Sequence, residues 1–280
     1  MASVGVTASA LNGSFAAEIT GVDLSQPLDE ETVTAIRLAW LDHLVLVFRD
    51  QRLTDGDLVA FSRHIGELDS VPGWEDFHAD GHPEVLVISN AVDEGEAIGV
   101  LGAGEAAWHS DMTYLPAPPI ASVLYAVEIP PTGGDTSFMD MYAALDGLPA
   151  DLRAELDGLE LNHDDSYAST GELRPGRDEV VDVSQAGGTR HPIVRTHPET
   201  GRPSLFLGRR LNAYAVGRTV PESEDLLDRI WAALDDPDLV YRHQWRASDL
   251  VMWDNRCTMH RREAFDDSMR RVMHRTQIRS

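Results

Sequence analysis

The stretch Trp108-His109-Ser110-Asp111 places an imidazole and a carboxylate two residues apart. In an extended segment, such residues point to the same side of the chain, so His109 and Asp111 are expected to share one face. A pair of this kind offers two neighbouring ligands for a metal ion. Because so short a spacing also occurs by chance, the rest of the chain has to provide a third ligand.

His260 is the candidate for that third ligand, because it follows the apolar strand pattern Leu250-Val251-Met252-Trp253. Together with His109 and Asp111 it would form a 2-His-1-carboxylate face that leaves coordination positions open. That donor set is typical of non-haem Fe(II) oxygenases. Three protein ligands on one face also fit a catalytic zinc site, so the donor set alone leaves the metal undecided.

The other histidines are weaker candidates, since most histidines are not metal ligands. His43 and His64 fall in predicted helices, and His197 falls in a predicted hairpin turn where a structural role is expected. Three more are expected to pack on strands: His163, His191 and His243.

Composition narrows the class of protein. The 280 residues are 42% hydrophobic and show no linker, repeat or low-complexity run, which predicts one domain spanning residues 1–280. The single cysteine, Cys257, excludes an internal disulfide framework and a cysteine-rich metal site within the chain.

Charge excludes several partners and mechanisms. The net charge is -24, which argues against nucleic acid and anionic membranes as partners. All 23 basic residues are Arg, so lysine Schiff-base chemistry is excluded. Seven of these Arg lie between Arg256 and Arg279. That cluster indicates either an anion-binding site or a surface that balances acidic neighbours.

The first residues have neither a basic segment nor an apolar run, and no window approaches the ~18 uncharged apolar residues of a membrane span. We therefore expect a soluble, cytoplasmic protein with no membrane partner.

The pattern of elements predicts a mainly β fold with peripheral helices. Helices are predicted over residues 27–43, 54–65, 141–148, 150–159 and 221–234. Strands are predicted over residues 16–24, 44–48, 84–89, 121–129, 136–140, 191–196, 204–207, 241–245, 249–253 and 271–278, with 241–245 and 249–253 forming a final hairpin. Many short strands favour a double-stranded β-helix, or jelly-roll, core. Residues 69–107, including a long flexible loop over 90–107, and residues 163–190 are expected to be mobile lid or insert loops.

Four motifs, in order, carry a resemblance to a known family. They are Trp108-His109-Ser110-Asp111, Thr132-Gly133-Gly134-Asp135-Thr136, Trp253-Asp254-Asn255-Arg256-Cys257-Thr258-Met259-His260 and Arg270-Arg271-Val272-Met273-His274-Arg275. Together they resemble the taurine dioxygenase/2,4-D dioxygenase (TauD/TfdA) family of Fe(II)- and 2-oxoglutarate-dependent oxygenases. The resemblance runs from Gly21 to the C-terminus, and four ordered motifs are far more specific than any one of them.

The resemblance implies a role for each matching residue. His109, Asp111 and His260 match the iron ligands. Thr136 and Arg271 match the residues that bind 2-oxoglutarate, and Arg275 matches the Arg that meets the anionic group of the primary substrate. Arg271 and Arg275 are four residues apart on a predicted strand, so they point to one face. For Arg275 alone, a surface salt bridge is the alternative.

The resemblance also implies the reaction: O2 and 2-oxoglutarate are consumed, succinate and CO2 are released, and the substrate is hydroxylated. Family members suggest a homo-oligomer, a dimer or a tetramer. The alternatives from other classes are a non-catalytic jelly-roll protein that binds a metal or an anion, and a zinc hydrolase.

The substrate is expected to be a small anion that carries a carboxylate and is partly hydrophobic, such as an aryloxyalkanoate. Val71 stands where taurine enzymes place a histidine, and Glu105 replaces an asparagine, so both departures count against taurine. We expect Val71, Trp74 and Tyr167 to contact the substrate together with Arg275. A taurine or alkylsulfonate dioxygenase is the alternative within the family.

Overall fold

The computed structural model describes residues 5–70, 74–174 and 176–279. The helices of these residues are α1 (Glu30–His43), α2 (Asp55–Ile65), α3 (Met141–Asp146), α4 (Ala150–Glu155) and α5 (Val220–Ala233). Their strands are β1 (Thr7–Ala10), β2 (Ala16–Thr20), β3 (Val45–Phe48), β4 (Leu68–Asp69), β5 (His78–Ala79), β6 (His82–Ser89), β7 (Val92–Asp93), β8 (Glu96–Ala97), β9 (Val100–Leu101), β10 (Ala106–His109), β11 (Ala121–Glu128), β12 (Thr136–Asp140), β13 (Glu160–His163), β14 (Thr189–Pro192), β15 (Val194–Thr196), β16 (Pro203–Leu205), β17 (Tyr214–Ala215), β18 (Val240–His243), β19 (Leu250–Asp254), β20 (Thr258–Arg262) and β21 (Val272–Ile278).

Two sheets form the centre of the molecule. The larger has the order β1-β2-β3-β19-β11-β21-β6-β5, with β4 beside β21 and β9 beside β6. The smaller has the order β10-β20-β12-β18. Strands that are neighbours in a sheet are often distant in sequence, as β3 and β19 are, which is the arrangement of a jelly roll.

The core lies between these sheets and on the outer face of each. In β19, Val251 and Trp253 join a buried cluster with Phe138 of the small sheet, whereas Leu250 and Met252 pack on the opposite face. This alternation follows from the two-residue period of a strand. Both faces of β19 are therefore covered, which explains its unbroken apolar sequence.

Helices cover the outer faces of the two sheets. Ile36 and Trp40 of α1 and Phe61 of α2 pack on the outer face of the large sheet. Helices α3, α4 and α5 pack beside the small sheet around a second cluster that contains Leu226. The Thr54 hydroxyl and the Asp57 carboxylate form the predicted capping box of α2. The jelly-roll core with peripheral helices is thus confirmed.

Two expectations were wrong. Residues 241–245 and 249–253 do not form a hairpin, because β18 pairs with β12 in the small sheet and β19 pairs with β3 and β11 in the large one. Residues 90–107 are not a structureless loop, since they contain the paired strands β7 and β8, β9 beside β6, and β10 beside β20.

Among the described residues, no helix combines the length and the apolar character needed to cross a bilayer.

Candidate active site

His109, Asp111 and His260 meet at the end of β10. Antiparallel pairing of β10 with β20 sets His109 directly opposite His260, and their ring centroids are 4.2 Å apart. Asp111 follows in the turn after β10. Its Oδ1 lies 3.8 Å from His109 Nε2 and 3.9 Å from His260 Nε2. These separations are too long for hydrogen bonds and suit three donor atoms that converge on one ion.

The Asp111 carboxylate is held by a chain of buried hydrogen bonds. Its Oδ2 accepts from the Ser122 hydroxyl at 2.6 Å. Ser122 Oγ in turn accepts from Asn255 Nδ2 at 3.0 Å, and Trp253 Nε1 donates to Asn255 Oδ1 at 2.8 Å. Because Oδ2 is occupied by Ser122, Asp111 presents Oδ1 to the two imidazoles.

The histidine rings are oriented in the same way. His109 Nδ1 donates to the carbonyl oxygen of Ala107 at 2.7 Å, which leaves the Nε2 lone pair directed at Asp111 Oδ1. For His260, Nδ1 is buried without a hydrogen-bond partner among the described residues.

Burial and charge set the protonation states. Burial lowers the pKa of His109, and burial together with His109 lowers the pKa of His260 to about 3. Burial alone would raise the pKa of Asp111, but Arg275, His260, His109 and Ser122 together hold it well below its usual range. Two neutral imidazoles and one carboxylate are the forms that bind a divalent metal, so the donor set fits Fe(II).

A second group of residues, which we call the Thr136 cavity, adjoins the triad and includes Thr136, Arg262, Arg271 and Arg275. The Arg271 guanidinium is buried, and its Nε and Nη2 lack a hydrogen-bond partner in the described part of the chain. Burial and the nearby Arg262, opposed by Asp135, lower the pKa of Arg271 to about 9. A buried cation with free donors requires an anion.

The Thr136 hydroxyl can donate a hydrogen bond to the same anion. Its Oγ1 accepts from Trp245 Nε1 at 2.9 Å, so its own hydroxyl proton is free to donate. Thr136 lies opposite Arg262 in the β12–β20 pairing. A carboxylate in the Thr136 cavity would thus meet one hydroxyl and at least one guanidinium.

Gly134 leaves room for Arg271. Its φ of +70° is a left-handed conformation, and a Cβ there would lie 3.2 Å from Arg271 Nε and 3.3 Å from Phe265 Cδ1. The Gly133-Gly134 pair is therefore explained by backbone conformation and by the close approach of the guanidinium.

A further set of residues, which we call the Trp74 cavity, includes His109 and Asp111 of the triad. Arg275 lines both cavities, and its Nη1 lies 3.4 Å from Asp111 Oδ1. The apolar wall of this cavity is formed by Trp74, Leu86, Val100, Leu101 and Met112. Two further arginines also line this cavity, Arg174 and Arg209.

The predicted site residues fall into three groups. The triad, Thr136, Arg271, Arg275 and Trp74 are brought together around the two cavities. Val71 lies outside the described residues. Tyr167 is not among the described residues that line the Trp74 cavity. Its main-chain carbonyl accepts a hydrogen bond from Arg209 Nη1. A contact between Tyr167 and the substrate stays a prediction.

Sequence reasoning missed Ser122, Arg174, Arg209 and Arg262. Arg262 could have been predicted from the two-residue period of a strand. It lies two residues after His260 on β20 and therefore shares its face. Ser122, Arg174 and Arg209 follow no motif, and only the fold brings them to the site.

Comparison with known proteins agrees with this geometry. Residues 7–277 match the family model described as "Taurine catabolism dioxygenase TauD, TfdA family". The chain is 34% identical over 276 residues to the (S)-phenoxypropionate/alpha-ketoglutarate-dioxygenase of Sphingobium herbicidovorans, covering 96% of this chain and 93% of the relative. It is 35% identical over 280 residues to the alpha-ketoglutarate-dependent 2,4-dichlorophenoxyacetate dioxygenase of Cupriavidus pinatubonensis, covering 96% of each.

A solved structure of a taurine dioxygenase from Burkholderia xenovorans superimposes with a TM-score of 0.81 at 36% identity, covering 99% of this chain and 90% of that one. The resemblance predicted from the four motifs is confirmed, and a zinc hydrolase and a non-catalytic binding protein are set aside. The chain therefore belongs to the TauD, TfdA family of taurine catabolism dioxygenases, and is an oxidoreductase that depends on 2-oxoglutarate, Fe(II) and O2.

Proposed function

We propose that this chain hydroxylates a small, carboxylate-bearing, partly hydrophobic substrate of the aryloxyalkanoate type. The observation that carries the proposal is the convergence of three donors beside a buried, unpaired guanidinium. One ligand atom from each of His109, Asp111 and His260 lies within 4.8 Å of the other two. Arg271 lies in the Thr136 cavity, which His109 and His260 also line.

The triad would hold Fe(II). When bound, the metal supplies the activation of O2 that is coupled to oxidative decarboxylation of 2-oxoglutarate to succinate and CO2. The protein keeps the site open on one face, because it offers three ligands and leaves the remaining positions to small molecules. Ser122 and the Ala107 carbonyl fix the orientation of Asp111 and His109.

The Thr136 cavity would bind 2-oxoglutarate. Its distal carboxylate would accept from Arg271 and from the Thr136 hydroxyl, which satisfies donors that are buried and unpaired in the protein alone. A guanidinium holds a carboxylate in a fixed, two-point geometry, so this contact also orients the co-substrate toward the triad.

Arg275 would bind the carboxylate of the primary substrate. It lines the Trp74 cavity beside Asp111, so a carboxylate on Arg275 brings the neighbouring carbon close to the triad. The apolar wall of that cavity, with Trp74 and Met112, suits an aryl or alkyl body. Two similar enzymes carry phenoxypropionate and dichlorophenoxyacetate in their names, which supports the same class.

A sulfonate or sulfate ester is the second candidate, because a guanidinium also binds those anions. Similarity to a taurine dioxygenase structure and to an alpha-ketoglutarate-dependent sulfate ester dioxygenase favours it. The apolar wall counts against taurine, whose body carries an amine.

We further propose that residues 69–107 and 163–190, within one domain over residues 1–280, act as lids over the substrate. Trp74, Val100 and Leu101 come from the first segment, and Ala168 and Arg174 come from the second. The homo-oligomer expected from the resemblance stays a prediction.

The test is succinate release by the Fe(II)-loaded protein with 2-oxoglutarate and a panel of phenoxyacetate, 2-phenoxypropionate, taurine and an alkyl sulfate. We expect succinate to form fastest with the aryloxy acids and in proportion to hydroxylated product. Faster turnover of taurine or the alkyl sulfate would replace the proposed substrate class, and no succinate with any of them would reject it.

A further inference from the structure

Of the three arginines that line the Trp74 cavity, one has no carboxylate partner among the described residues. Arg275 lies against Asp111, with 3.4 Å between Nη1 and Oδ1, and Arg209 pairs with Asp164 at 3.0 Å. Arg174 lines the same cavity, yet it makes no ion pair with any carboxylate of the described residues. A cation that lines a cavity without an anionic partner is a candidate for binding an anionic ligand.

Arg174 is positioned by contacts that leave its charge available. Its guanidinium carbon lies 3.9 Å from the centroid of the Tyr114 ring, and its backbone N–H donates to the Ser166 carbonyl at 2.8 Å. Stacking on an aromatic face orients the planar group without neutralising it.

Repulsion between Arg174 and Arg209 also favours binding of an anion in the cavity. Arg174 is close enough to Arg209 to lower the pKa of the Arg209 guanidinium, although burial is the larger cause. Arg209 uses Nη1 on the Tyr167 carbonyl and Nη2 on Asp164, and among the described residues only its Nε lacks a partner. The Arg209 charge is therefore already paired with a carboxylate, whereas the Arg174 charge has no such partner among the described residues.

We propose that Arg174 binds a second anionic group of the primary substrate, so that the preferred substrate is a dianion with an apolar body. One carboxylate would lie on Arg275 beside the triad, the body would lie along Trp74 and Met112, and the other anionic group would reach Arg174. This inference rests on the proposed function and narrows its substrate class.

A matched pair of probes tests the proposal. Phenoxyacetate carries one carboxylate, and 4-carboxyphenoxyacetate adds a second at the far end of the same ring. For the wild-type protein with Fe(II) and 2-oxoglutarate, we expect kcat/KM to be about tenfold higher for the dianion, which corresponds to one charge-assisted contact. The change should lie in KM, because Arg174 would bind the far end of the ring and is stacked on Tyr114 rather than paired with Asp111.

Two variants separate charge from packing. Arg174→Gln should abolish the preference for the dianion, and Arg174→Lys, which keeps the charge but not the planar stack, should retain much of it. Arg177→Gln is the control, since Arg177 lies on the same segment but is paired with Asp165 and has a 51% exposed side chain. A preference that survives in Arg174→Gln, or that is lost equally in Arg174→Lys, would overturn the assignment.

Failure of this inference is distinguishable from failure of the proposed function. Succinate release from phenoxyacetate without a preference for the dianion would reject the Arg174 subsite alone. If neither probe is turned over, the proposed function fails. Calorimetric dissociation constants of the two probes then still decide the subsite, with equal affinities, or no binding of either, counting against it.

Discussion

The two carboxylate oxygens of Asp111 have different partners. Its Oδ2 is bound by Ser122, and its Oδ1 faces two imidazoles and Arg275. Partners behind a metal ligand fix its direction, and their loss commonly weakens metal affinity by about 10- to 100-fold. The Ser122 hydroxyl is such a partner.

We predict that Ser122→Ala raises the dissociation constant for Fe(II) by about tenfold, because Asp111 is then free to rotate. Anaerobic metal titration measures it. Ser62→Ala is the matched control, since it removes a buried hydrogen bond of 2.7 Å to Thr276 on the outer side of the large sheet. Equal metal affinities in the two variants would show that Ser122 only stabilises the fold.

Gly208, in the segment after β16, is hydrogen-bonded to the turn that carries the metal ligand Asp111. Its carbonyl accepts from the Ser110 backbone N–H at 3.0 Å, between the two ligands His109 and Asp111. At its φ of +65°, a Cβ would lie 2.2 Å from His163 Nδ1. An alanine would therefore be strained and would also push against β13.

Gly208→Ala should lower the free energy of unfolding by more than the ~1–3 kcal/mol of backbone strain alone, and should weaken Fe(II) binding. Gly201→Ala isolates the strain, since Gly201 has a φ of +69° and no atom near the added Cβ. Urea unfolding of both variants gives the comparison. Equal losses would mean that the contact with His163 relaxes at no cost.

His163, at the end of β13, makes folding sensitive to acid. Burial, with His191, Arg195 and Arg209, lowers the pKa of His163 from 6.5 to about 3. Between these values the unfolded chain binds a proton that the folded chain does not. The contribution of His163 to stability is therefore lost progressively as the pH falls from 6.5 towards 3.

We predict that His163→Phe flattens the dependence of the unfolding free energy on pH in this range, by up to ~1.4 kcal/mol per pH unit. Chemical unfolding at a series of pH values measures the slope. The wild-type slope retained in the variant would mean that His163 takes up its proton equally in the folded and unfolded chains.

The sequence predicted most elements but not all their partners. The apolar run of β3 and the capping box of α2 are local signals, and both elements formed where expected. The pairing of β18 and β19 was wrong, because two short strands separated by a few residues look the same whether they form a hairpin or enter opposite sheets. Strand order in a jelly roll depends on contacts distant in sequence.

The site combines both sheets. His109, His260 and Thr136 lie on the small sheet, and Arg275 lies on the large one, with Arg271 just before the same strand. The four motifs could be found in the sequence because each carries a fixed spacing. Arg174 and Arg262 could not be assigned in that way, because neither belongs to a motif of fixed spacing. Only the fold shows that they line a cavity beside the triad.

The central claim is that the triad and the Thr136 cavity together bind Fe(II) and 2-oxoglutarate. Anaerobic addition of both to the protein, followed by visible absorption, tests it most directly. We expect a weak charge-transfer band in the wild type and none in His260→Ala. In Arg271→Gln the band should need at least tenfold more 2-oxoglutarate, because the buried guanidinium is lost. A wild-type protein without the band, or unchanged 2-oxoglutarate affinity in Arg271→Gln, would contradict the account.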